Sequence, residues 1–460
     1  MTIVPDTDAA PAARGKWMAL LAAFLGWMFD GVEIGLFPLA ARPAMVDLLP
    51  KAGPGYAPPV FQWIVGITAA FLVGAACGGV FFGWLGDRIG RVKAMVWSVA
   101  TYSIFSGLCC FGQAPWQIGA LRFLSALGMG GEWSLGVALV MEIWPARSRP
   151  LLAGMIGAAA NVGFLLIAAF AYALSKPDLM SWLGAHLTGL FPARWFTQEG
   201  QWRFLLFLGA MPAFLTFFIQ IFVPESEKWK HATATAPKAK VRDIFAPGLS
   251  RMTILGACLA GVALLGTWGS VQQATPWASK MAAAQGINKP EATAKTQMCA
   301  GVGAIVGTIL AALLADKFNR RGVYFTLAVL SLVACQYLFR TVDAFGLRFL
   351  VAISLANGLT AAFYGWLPLY LPELFPTRMR ATAAGFIFNA PRLISAVAPL
   401  IAGTLIVGLG GYGKAATIIG LFYVLGLIAV PFLPETKGKP LPEGDTLSLP
   451  EGGKHQHQTA

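Results

Sequence analysis

Long apolar stretches separated by short polar segments recur along the whole chain. A membrane-spanning helix needs about 20 mostly apolar residues, and the pattern predicts twelve of them. Their approximate limits are 17–39, 60–83, 93–113, 116–140, 151–174, 202–223, 251–273, 295–315, 321–340, 345–370, 382–404 and 412–433. The sequence therefore predicts an all-α integral membrane protein with twelve transmembrane helices.

The composition supports this prediction. The 460 residues are 57% hydrophobic and 12% charged, whereas soluble domains are about 45–50% apolar and about 25% charged. All six cysteines lie in or at the ends of apolar stretches without a CxxC pair, and the four histidines lie outside every predicted span. We therefore expect no metal site, no cofactor and no disulfide scaffold.

The positive charge follows the predicted topology. With the N-terminus inside, the cytoplasmic segments carry 21 Lys and Arg residues and the opposite face carries 11. By the positive-inside rule, both termini are expected on the cytoplasmic side of the membrane. The expected location is a plasma membrane of the bacterial inner-membrane type. The net charge of +13 then reflects membrane topology, and we expect no nucleic-acid partner.

Two segments of the chain repeat at the same offset. GWLGDRIGRVK (83–93) returns as LLADKFNRRG (313–322), with Asp87 and Asp316 separated by 229 residues. MEIWPARSRP (141–150) returns as PELFPTRMRA (372–381), with Glu142 and Glu373 separated by 231 residues. The chain is therefore predicted to contain two six-helix pseudo-repeats in parallel orientation, with a substrate site near the midplane between them.

The predicted organisation has five parts. They are an N-terminal tail (1–16), a first six-helix bundle (17–223), a basic linker (224–250), a second bundle (251–433) and a C-terminal tail (434–460). The first bundle has about 20 extra residues in an outer loop, 175–201. There, Trp182, Leu183, Leu187, Leu190 and Phe191 have near-helical spacing and predict a short amphipathic helix. We interpret this helix as a surface decoration, with a functional lid as the alternative.

The repeated loop resembles a known signature. GWLGDRIGRVK resembles the G-x-L-a-D-R-x-G-R-R/K motif between the second and third helices of the major facilitator superfamily, and the weaker copy occupies the matching place in the second half. RFLSALGMGGEWSLGVALVMEIWPARSRP (122–150) and VPESEKW (223–229) look like the metabolite and carboxylate proton symporters. GWMFDGVEIGLFPLAARPAM (26–45) and NAPRLISAVAPLIAGTL (389–405) are similar to segments of aromatic-acid and sialate-type symporters. The seventh-helix Q-Q-x-S-G-I-N of sugar porters is absent, since Ala-Thr-Pro-Trp follows Gln273.

The resemblance implies a gate on the cytoplasmic side. Its expected members are Gly83, Asp87, Arg88, Gly90, Arg91, Glu142, Arg149, Asp316, Arg320, Glu373 and Arg380. In the family, the two glutamates pair with loop arginines in the outward-open state; ordinary interfacial salt bridges are the alternative. From the residues alone, Asp87 is expected near the N-terminal dipole of the next helix, and Arg88 and Arg91 are expected to stay cytoplasmic.

Five charged residues lie in the interior of predicted spans, away from the span ends, and a charge at mid-bilayer costs at least about 2.5–3.5 kcal/mol and is functional by default. They are Asp30, Glu33, Arg122, Glu132 and Arg392. Asp30 and Glu33 share a helix face with Cβ atoms about 5–6 Å apart, so both cannot ionise easily and one is expected to exchange a proton. The alternative is a carboxylate that only accepts hydrogen bonds at a helix interface.

Arg122 and Glu132 are ten residues apart, about 15 Å along one helix, so each needs another partner. The resemblance implies that Arg122 acts in proton transfer or gating. Glu132 is expected either to bind a proton or a substrate hydroxyl, or to brace the glycine-rich packing around it.

Arg392 lies near the middle of the eleventh span, and its guanidinium is a planar donor suited to a carboxylate. We expect it to bind an anionic substrate, with an internal ion pair to Asp30 or Glu33 as the alternative. Asn389 shares its helix face, and Asn161, Trp268 and Tyr364 are candidate pocket walls.

The sequence predicts a secondary transporter that moves a small organic anion by proton symport and alternating access. A sugar or polyol porter and a non-transporting sensor on the same fold are the alternatives. An ATP-driven pump is not expected, because GLGGYGKA (408–415) has Ala415 where a P-loop needs Ser or Thr. An enzyme is not expected either, because no nucleophile–base arrangement accompanies this segment. The expected partners are the organic anion and the lipid bilayer, without an obligate protein partner.

Overall fold

The computed structural model describes residues 13–50, 59–174, 177–197, 199–235, 239–397, 400 and 408–442. This part of the chain is helical and contains no strand. Eleven of its helices are long and apolar enough to cross a membrane. The remaining predicted span, 382–404, is helical over Arg380–Asn389 and Pro391–Ser395, and residues 398–399 and 401–407 lie outside the described part. The predicted twelve-helix architecture is confirmed.

The first half of the chain forms six spans. The first five are α1 (Ala13–Leu48), α2 (Val60–Ile89), α3 (Arg91–Leu108), α4 (Pro115–Ile143) and α5 (Arg149–Leu174). The outer-loop helix α6 (Pro177–Leu187) follows them. The sixth span consists of α7 (Gln201–Phe207) and α8 (Ala213–Phe222). The linker adds α9 (Glu227–Thr235).

The second half repeats this order. Its helices are α10 (Ser250–Leu264), α11 (Ala274–Ala284), α12 (Lys289–Lys317), α13 (Arg320–Thr341), α14 (Leu347–Ala361), α15 (Phe363–Leu374), α16 (Arg380–Asn389) and α17 (Pro391–Ser395), and the last span is Tyr412–Phe432. Between α10 and α11 the seventh span passes through a π-helical turn, Leu265–Ser270. Such turns inside long helices are often associated with functional sites.

Glycine lets the helices of the first half touch backbone to backbone. A Cβ at Gly78 of α2 would overlap the carbonyl of Leu127 on α4, and a Cβ at Gly130 of α4 would overlap the carbonyl of Ala75 on α2. Because lipid provides no hydrophobic force between helices, this close packing holds them together.

The two halves meet along α2 with α16 and along α5 with α12 and α15. A Cβ at Gly83 would meet the carbonyl of Ala381, and a Cβ at Gly157 would overlap the carbonyl of Tyr364. The buried core is therefore continuous across the seam. We call the side that carries residues 83–93 and 313–322 the motif side, and the opposite side the loop side.

The outer loop contains the predicted short helix, α6, and is fixed to the first half. Asp47 at the loop-side end of α1 accepts hydrogen bonds from Arg194 and from Nε1 of Trp202, the latter at 3.2 Å. Phe191 stacks on Trp195 with ring centroids 5.6 Å apart. Leu190, predicted on the apolar face, lies beyond the helix and is 78% exposed.

Candidate transport site and gate

Asp87 joins the two halves on the motif side. Its carboxylate accepts hydrogen bonds from the backbone N–H groups of Ala381 at 3.3 Å and Thr382 at 2.7 Å, and from the Thr382 hydroxyl. These donors form the N-terminus of α16, so the expectation that Asp87 lies at the next helix is wrong. The reason is the helix face: Gly83, one turn earlier, already packs on α16, which directs Asp87 to the same partner.

The N-terminus of α3 is held by a residue of the linker instead. Glu225 accepts hydrogen bonds from the backbone N–H groups of Arg91 at 3.0 Å and Val92 at 3.1 Å. The connection from α2 turns at Gly90, whose φ of 110° is in the left-handed region that favours glycine. Glu225 thus supplies the helix cap that the sequence assigned to Asp87.

Arg91 lies at the centre of the contact between the two halves on the motif side. Arg91 is fully buried, and it donates to Asp87 at 2.5 Å, to Glu142 at 3.0 Å and to the carbonyl of Thr377 at 2.7 Å. Arg88 instead lies over the Trp84 ring, 4.7 Å from its centroid.

Glu142 forms a second link across the seam. In addition to Arg91, it accepts a hydrogen bond from Nη1 of Arg380 on α16 at 2.9 Å, with both side chains fully buried. The first-half copy of the motif therefore combines Asp87, Arg91 and Glu142 of one half with α16 of the other. We call these three residues, with Arg380 and Thr382, the motif-side gate.

The second copy of the motif is weaker. Arg320 pairs with Glu373 at 2.8 Å, but Asp316 is 52% exposed at its side chain, and its one ion pair within the described part of the chain is to Arg320 of its own half, at 3.5 Å. Arg149 lies within electrostatic range of Glu373. Glu435 accepts hydrogen bonds from the backbone N–H groups of Arg320 and Arg321, both at 3.0 Å, as Glu225 does in the first half.

The two capping glutamates differ in their electrostatics. Burial raises the pKa of Glu225, and its backbone hydrogen bonds only partly oppose that effect. Burial acts in the same direction at Glu435, but four backbone N–H groups outweigh it and hold the pKa of Glu435 below its ordinary value. The two otherwise equivalent caps therefore respond differently to acid.

Asp30 and Glu33 have different surroundings although they share one face of α1. Glu33 is 1% exposed and accepts hydrogen bonds from Arg122, Ser106 and Ser125. Arg122, whose partner the sequence left open, is thus ion-paired to Glu33. Its guanidinium also lies over the rings of Phe37 and Phe71.

Asp30 faces Glu132. Both carboxylates are almost completely buried, and neither receives a hydrogen bond from the described part of the chain. Asp30 lies within electrostatic range of Glu132, Arg392 and Glu33. Gly26, one turn before Asp30, makes room for the Glu132 carboxylate, because a Cβ there would overlap Oε1.

Arg392 is 6% exposed, and among the described residues it has neither a hydrogen bond nor an ion pair. Its guanidinium lies 5.5 Å from the centroid of the Phe388 ring, and Asp30 and Tyr364 lie within electrostatic range. Phe388 stacks on Trp133 at 3.9 Å. An aromatic layer between the halves therefore adjoins this arginine.

The other predicted pocket residues separate into two groups. Asn389 is fully buried and donates to the carbonyl of Gly130 at 2.9 Å, so in this state it belongs to the seam. Trp268 and Asn161 are partly exposed, and Trp268 contacts the Phe164 ring at 5.8 Å. Tyr364 lies beside Trp268, and its hydroxyl has no hydrogen-bond partner among the described residues.

Sequence reasoning missed three residues near these sites. Glu225 and Glu435 could have been found from the matching VPES and LPET segments that end the two halves. Tyr102 is fully buried on α3. It could have been found from the spacing of Ser98, Tyr102 and Ser106, which places three polar groups on one face of an apolar helix.

Comparisons with known proteins agree with this geometry. A family model described as "Sugar (and other) transporter" matches residues 56–447. The cis,cis-muconate transport protein of Acinetobacter baylyi is 28% identical over 435 residues, which cover 92% of this chain and 95% of that protein. The sialic acid transporter NanX of Escherichia coli is 25% identical over 417 residues, covering 90% and 93%.

A solved structure has the same fold. The proton:xylose symporter XylE, bound to 6-bromo-6-deoxy-D-glucose, superimposes with a TM-score of 0.71 at 19% identity and covers 93% of this chain and 98% of its own. The twelve-helix architecture and the motif-side gate define a multi-pass membrane transporter of the major facilitator superfamily, not an enzyme. The chain belongs to the sugar (and other) transporter family.

Proposed function

We propose that this transporter is a proton symporter for a small organic anion. The observation that carries the proposal is the relationship between Arg392 and Asp30: each is buried near the middle of its span, and neither has a hydrogen bond or ion pair with the described residues. Arg392 would bind the substrate carboxylate, and Asp30, together with Glu132, would carry the proton.

Charge balance explains how the two ligands are coupled. Asp30 lies within electrostatic range of Arg392 and of a second buried carboxylate, Glu132, so one of the two carboxylates holds a proton at rest. Without substrate, the one ionised carboxylate balances the positive charge of Arg392. When a second proton and the substrate anion are both bound, the substrate anion balances Arg392 instead. Binding either ligand alone leaves one uncompensated charge, which costs at least about 2.5–3.5 kcal/mol in the membrane.

Two observations favour an organic acid over a sugar. The relatives are named for cis,cis-muconate and sialic acid, both acids. The stacked pair of Phe388 and Trp133 next to Arg392 offers a flat apolar surface for a planar carboxylate. We assign Asn161, Trp268 and Tyr364 to the walls of this pocket.

The proposal also covers the motion of the two bundles and the orientation of the protein in its membrane. The bundles 17–223 and 251–433 rock about the midplane site, and the motif-side gate closes one access route. Both termini lie in the cytoplasm, the membrane is a bacterial inner membrane, and the coupling ion is the proton, with no cofactor or obligate protein partner. The excess of Lys and Arg in the motif-side segments supports this orientation.

Uptake driven by a pH gradient in proteoliposomes tests the proposal. The probes are radiolabelled cis,cis-muconate, benzoate, sialic acid and xylose, with internal pH recorded at the same time. We expect one acid to accumulate together with proton entry, and Arg392→Ala to abolish that uptake.

The matched control is Arg348→Ala, because Arg348 is an exposed arginine of the same half that contacts Tyr337. Xylose uptake would favour a sugar porter, and a lack of uptake of every probe would favour a sensor. Full acid uptake in Arg392→Ala would remove Arg392 from the substrate site.

A further inference from the structure

A chain of buried polar groups runs through the first half, beside the proposed substrate site. Glu33, Arg122, Ser106 and Ser125 form one cluster. Asp30 and Glu132 form the other, about one helical turn closer to the motif side. The proposed symport mechanism uses only the second cluster, and it gives no route by which a proton reaches that cluster from the loop side.

Tyr102 lies between the two clusters. It is fully buried, and its hydroxyl has no hydrogen-bond partner in the described part of the chain. Asp30, Glu132 and Glu33 all lie within electrostatic range of this hydroxyl. Tyr102 therefore faces both carboxylate clusters while its hydroxyl is bound to neither.

The backbone around Tyr102 fixes this position. A Cβ at Gly128 of α4 would overlap the backbone nitrogen of Tyr102, and Ser98, one turn earlier on α3, donates to the carbonyl of Gly128 at 2.6 Å. One turn later on the same face, Ser106 donates to Glu33. The face of α3 that carries Tyr102 is thus held against α1 and α4.

We propose that the hydroxyl of Tyr102 relays a proton between Glu33 and the Asp30–Glu132 pair. In the inward direction, protonated Glu33 transfers its proton to the Tyr102 oxygen while the hydroxyl proton of Tyr102 moves to Asp30. One O–H bond breaks and one forms at each transfer, and Tyr102 is neutral before and after. Loss of the proton restores the carboxylate of Glu33 as the partner of Arg122.

The relay explains why the first half contains two separate carboxylate clusters. Arg122 forms an ion pair with Glu33, so in the proposed relay Glu33 passes its proton on and returns to this pair. Asp30 and Glu132 have no hydrogen-bond donor among the described residues, and Asp30 lies within electrostatic range of Arg392, the residue assigned to the substrate. The proton therefore rests beside the substrate site and not in the Glu33 cluster.

This inference rests on the proposed proton symport, and one experiment separates the two. Wild type and Tyr102→Phe are compared in proteoliposomes with radiolabelled cis,cis-muconate, or with whichever acid of the panel drives proton entry in wild type. Net uptake driven by a pH gradient requires proton transfer in every cycle. Exchange of labelled for unlabelled acid at equal pH requires no proton transfer, because the protein can keep its proton throughout the cycle.

We expect Tyr102→Phe to lose at least about tenfold in net uptake, since a positioned proton-transfer group typically contributes about a hundredfold or more. Exchange should stay within about twofold of wild type and the melting temperature should be unchanged, because the lost hydroxyl leaves no hydrogen-bond partner behind. Tyr102→His, which restores a group that carries protons, should recover part of the net uptake.

The matched control is Tyr324→Phe. Tyr324 is buried on α13, the helix of the second half that corresponds to α3, and its hydroxyl donates to the carbonyl of Leu259 at 3.0 Å. This variant should keep the wild-type ratio of net uptake to exchange. Wild-type net uptake in Tyr102→Phe overturns the relay, as does an equal loss of net uptake and exchange. Uptake without proton entry in wild type overturns the symport proposal itself.

Discussion

The carboxylate of Asp87 accepts a hydrogen bond from the backbone N–H of Thr382 at 2.7 Å, across the seam between the two halves. Asp316, its counterpart in the repeat, is half exposed and contacts Arg320 of its own half. The repeated motif thus has two different uses: the first copy joins the halves, and the second contacts its own half. The motif-side gate is asymmetric although the sequence motif is duplicated.

Replacing Asp87 is expected to open the motif-side gate. Asp87→Asn removes a charge that accepts hydrogen bonds from α16, and hydrogen bonds to charged groups contribute about 1.5–3 kcal/mol each. We expect a cysteine introduced at Met379, which is 2% exposed, to react at least about tenfold faster with an impermeant maleimide, since about 1.4 kcal/mol is tenfold in an equilibrium.

Asp316→Asn is the matched control for that measurement, and it should change the labelling rate by less than about twofold because its only ion pair in the described residues is weak and exposed. Equal effects of the two substitutions would show that the asymmetry of the gate has no energetic consequence.

Arg380 is expected to be essential for the stability of the closed gate. It is fully buried, pairs with Glu142 and also donates to the carbonyl of Pro372 at 3.2 Å. Arg380→Ala leaves part of a buried charge network uncompensated, a loss of about 3–5 kcal/mol, and should lower the melting temperature in detergent. Arg380→Lys should recover only part of it, because an ammonium group lacks the planar donor fork.

Arg321, on α13 of the same half, provides a control. It donates to the carbonyl of Pro431 from an exposed position, so Arg321→Ala should leave the melting temperature nearly unchanged. A wild-type melting temperature in Arg380→Ala would mean that Arg91 alone satisfies Glu142.

The contributions of Glu225 and Glu435 to the free energy of unfolding are expected to change in opposite directions as the pH falls. Because burial raises the pKa of Glu225, the folded protein holds a proton there at pH values where the unfolded chain has lost it. Its contribution to the free energy of unfolding therefore grows as the pH falls through its folded-state pKa. The pKa of Glu435 is lowered, so its contribution is present at neutral pH and is lost as the pH falls below the ordinary glutamate value of about 4.3.

Melting temperatures measured between about pH 8 and pH 3 check this pair, because each glutamine variant removes one titration and leaves the others in place. The melting temperature of wild type relative to Glu225→Gln should rise as the pH falls. The melting temperature of wild type relative to Glu435→Gln should fall at the acid end. The same sign for both variants would contradict the opposite pKa shifts of Glu225 and Glu435.

The sequence predicted the fold and the repeat well because both depend on local properties. Span length, the positive charge of short loops and the spacing of GWLGDRIGRVK are all readable along the chain. The partners of individual charges depend on which helix faces which. The spacing of Asp30 and Glu33 predicts one shared face, but only the packing of α3 and α4 on α1 shows that Arg122 reaches Glu33.

Asp87 illustrates the same limit. Its position before α3 suggested a cap on that helix, yet the contact made possible by Gly83 directs it to α16. Helix dipoles attract any nearby carboxylate, so sequence order alone could not choose between two N-termini. A linker residue that comes more than 130 positions later, Glu225, took the place that Asp87 left.

The two carboxylates of α1, Asp30 and Glu33, are expected to differ in what they contribute to the stability of the protein as well as in function. Glu33→Gln removes the partner of a buried arginine and should destabilise the protein by about 3–5 kcal/mol, seen as a lower melting temperature. Asp30→Asn neutralises a carboxylate that has no hydrogen-bond donor among the described residues. It should leave the melting temperature unchanged or raise it, while uptake no longer responds to the pH gradient.

A double substitution separates the ion pair from the individual side chains. If the loss in Glu33→Gln comes from the stranded charge of Arg122, then Glu33→Gln combined with Arg122→Gln should be more stable than Glu33→Gln alone, with a coupling energy of about 0.5–3 kcal/mol. Asp30→Asn combined with Arg122→Gln should show no such recovery, since Asp30 is not the partner of Arg122. Equal coupling of Arg122 to both carboxylates would mean that they form one site, and the proton would then need no separate relay between them.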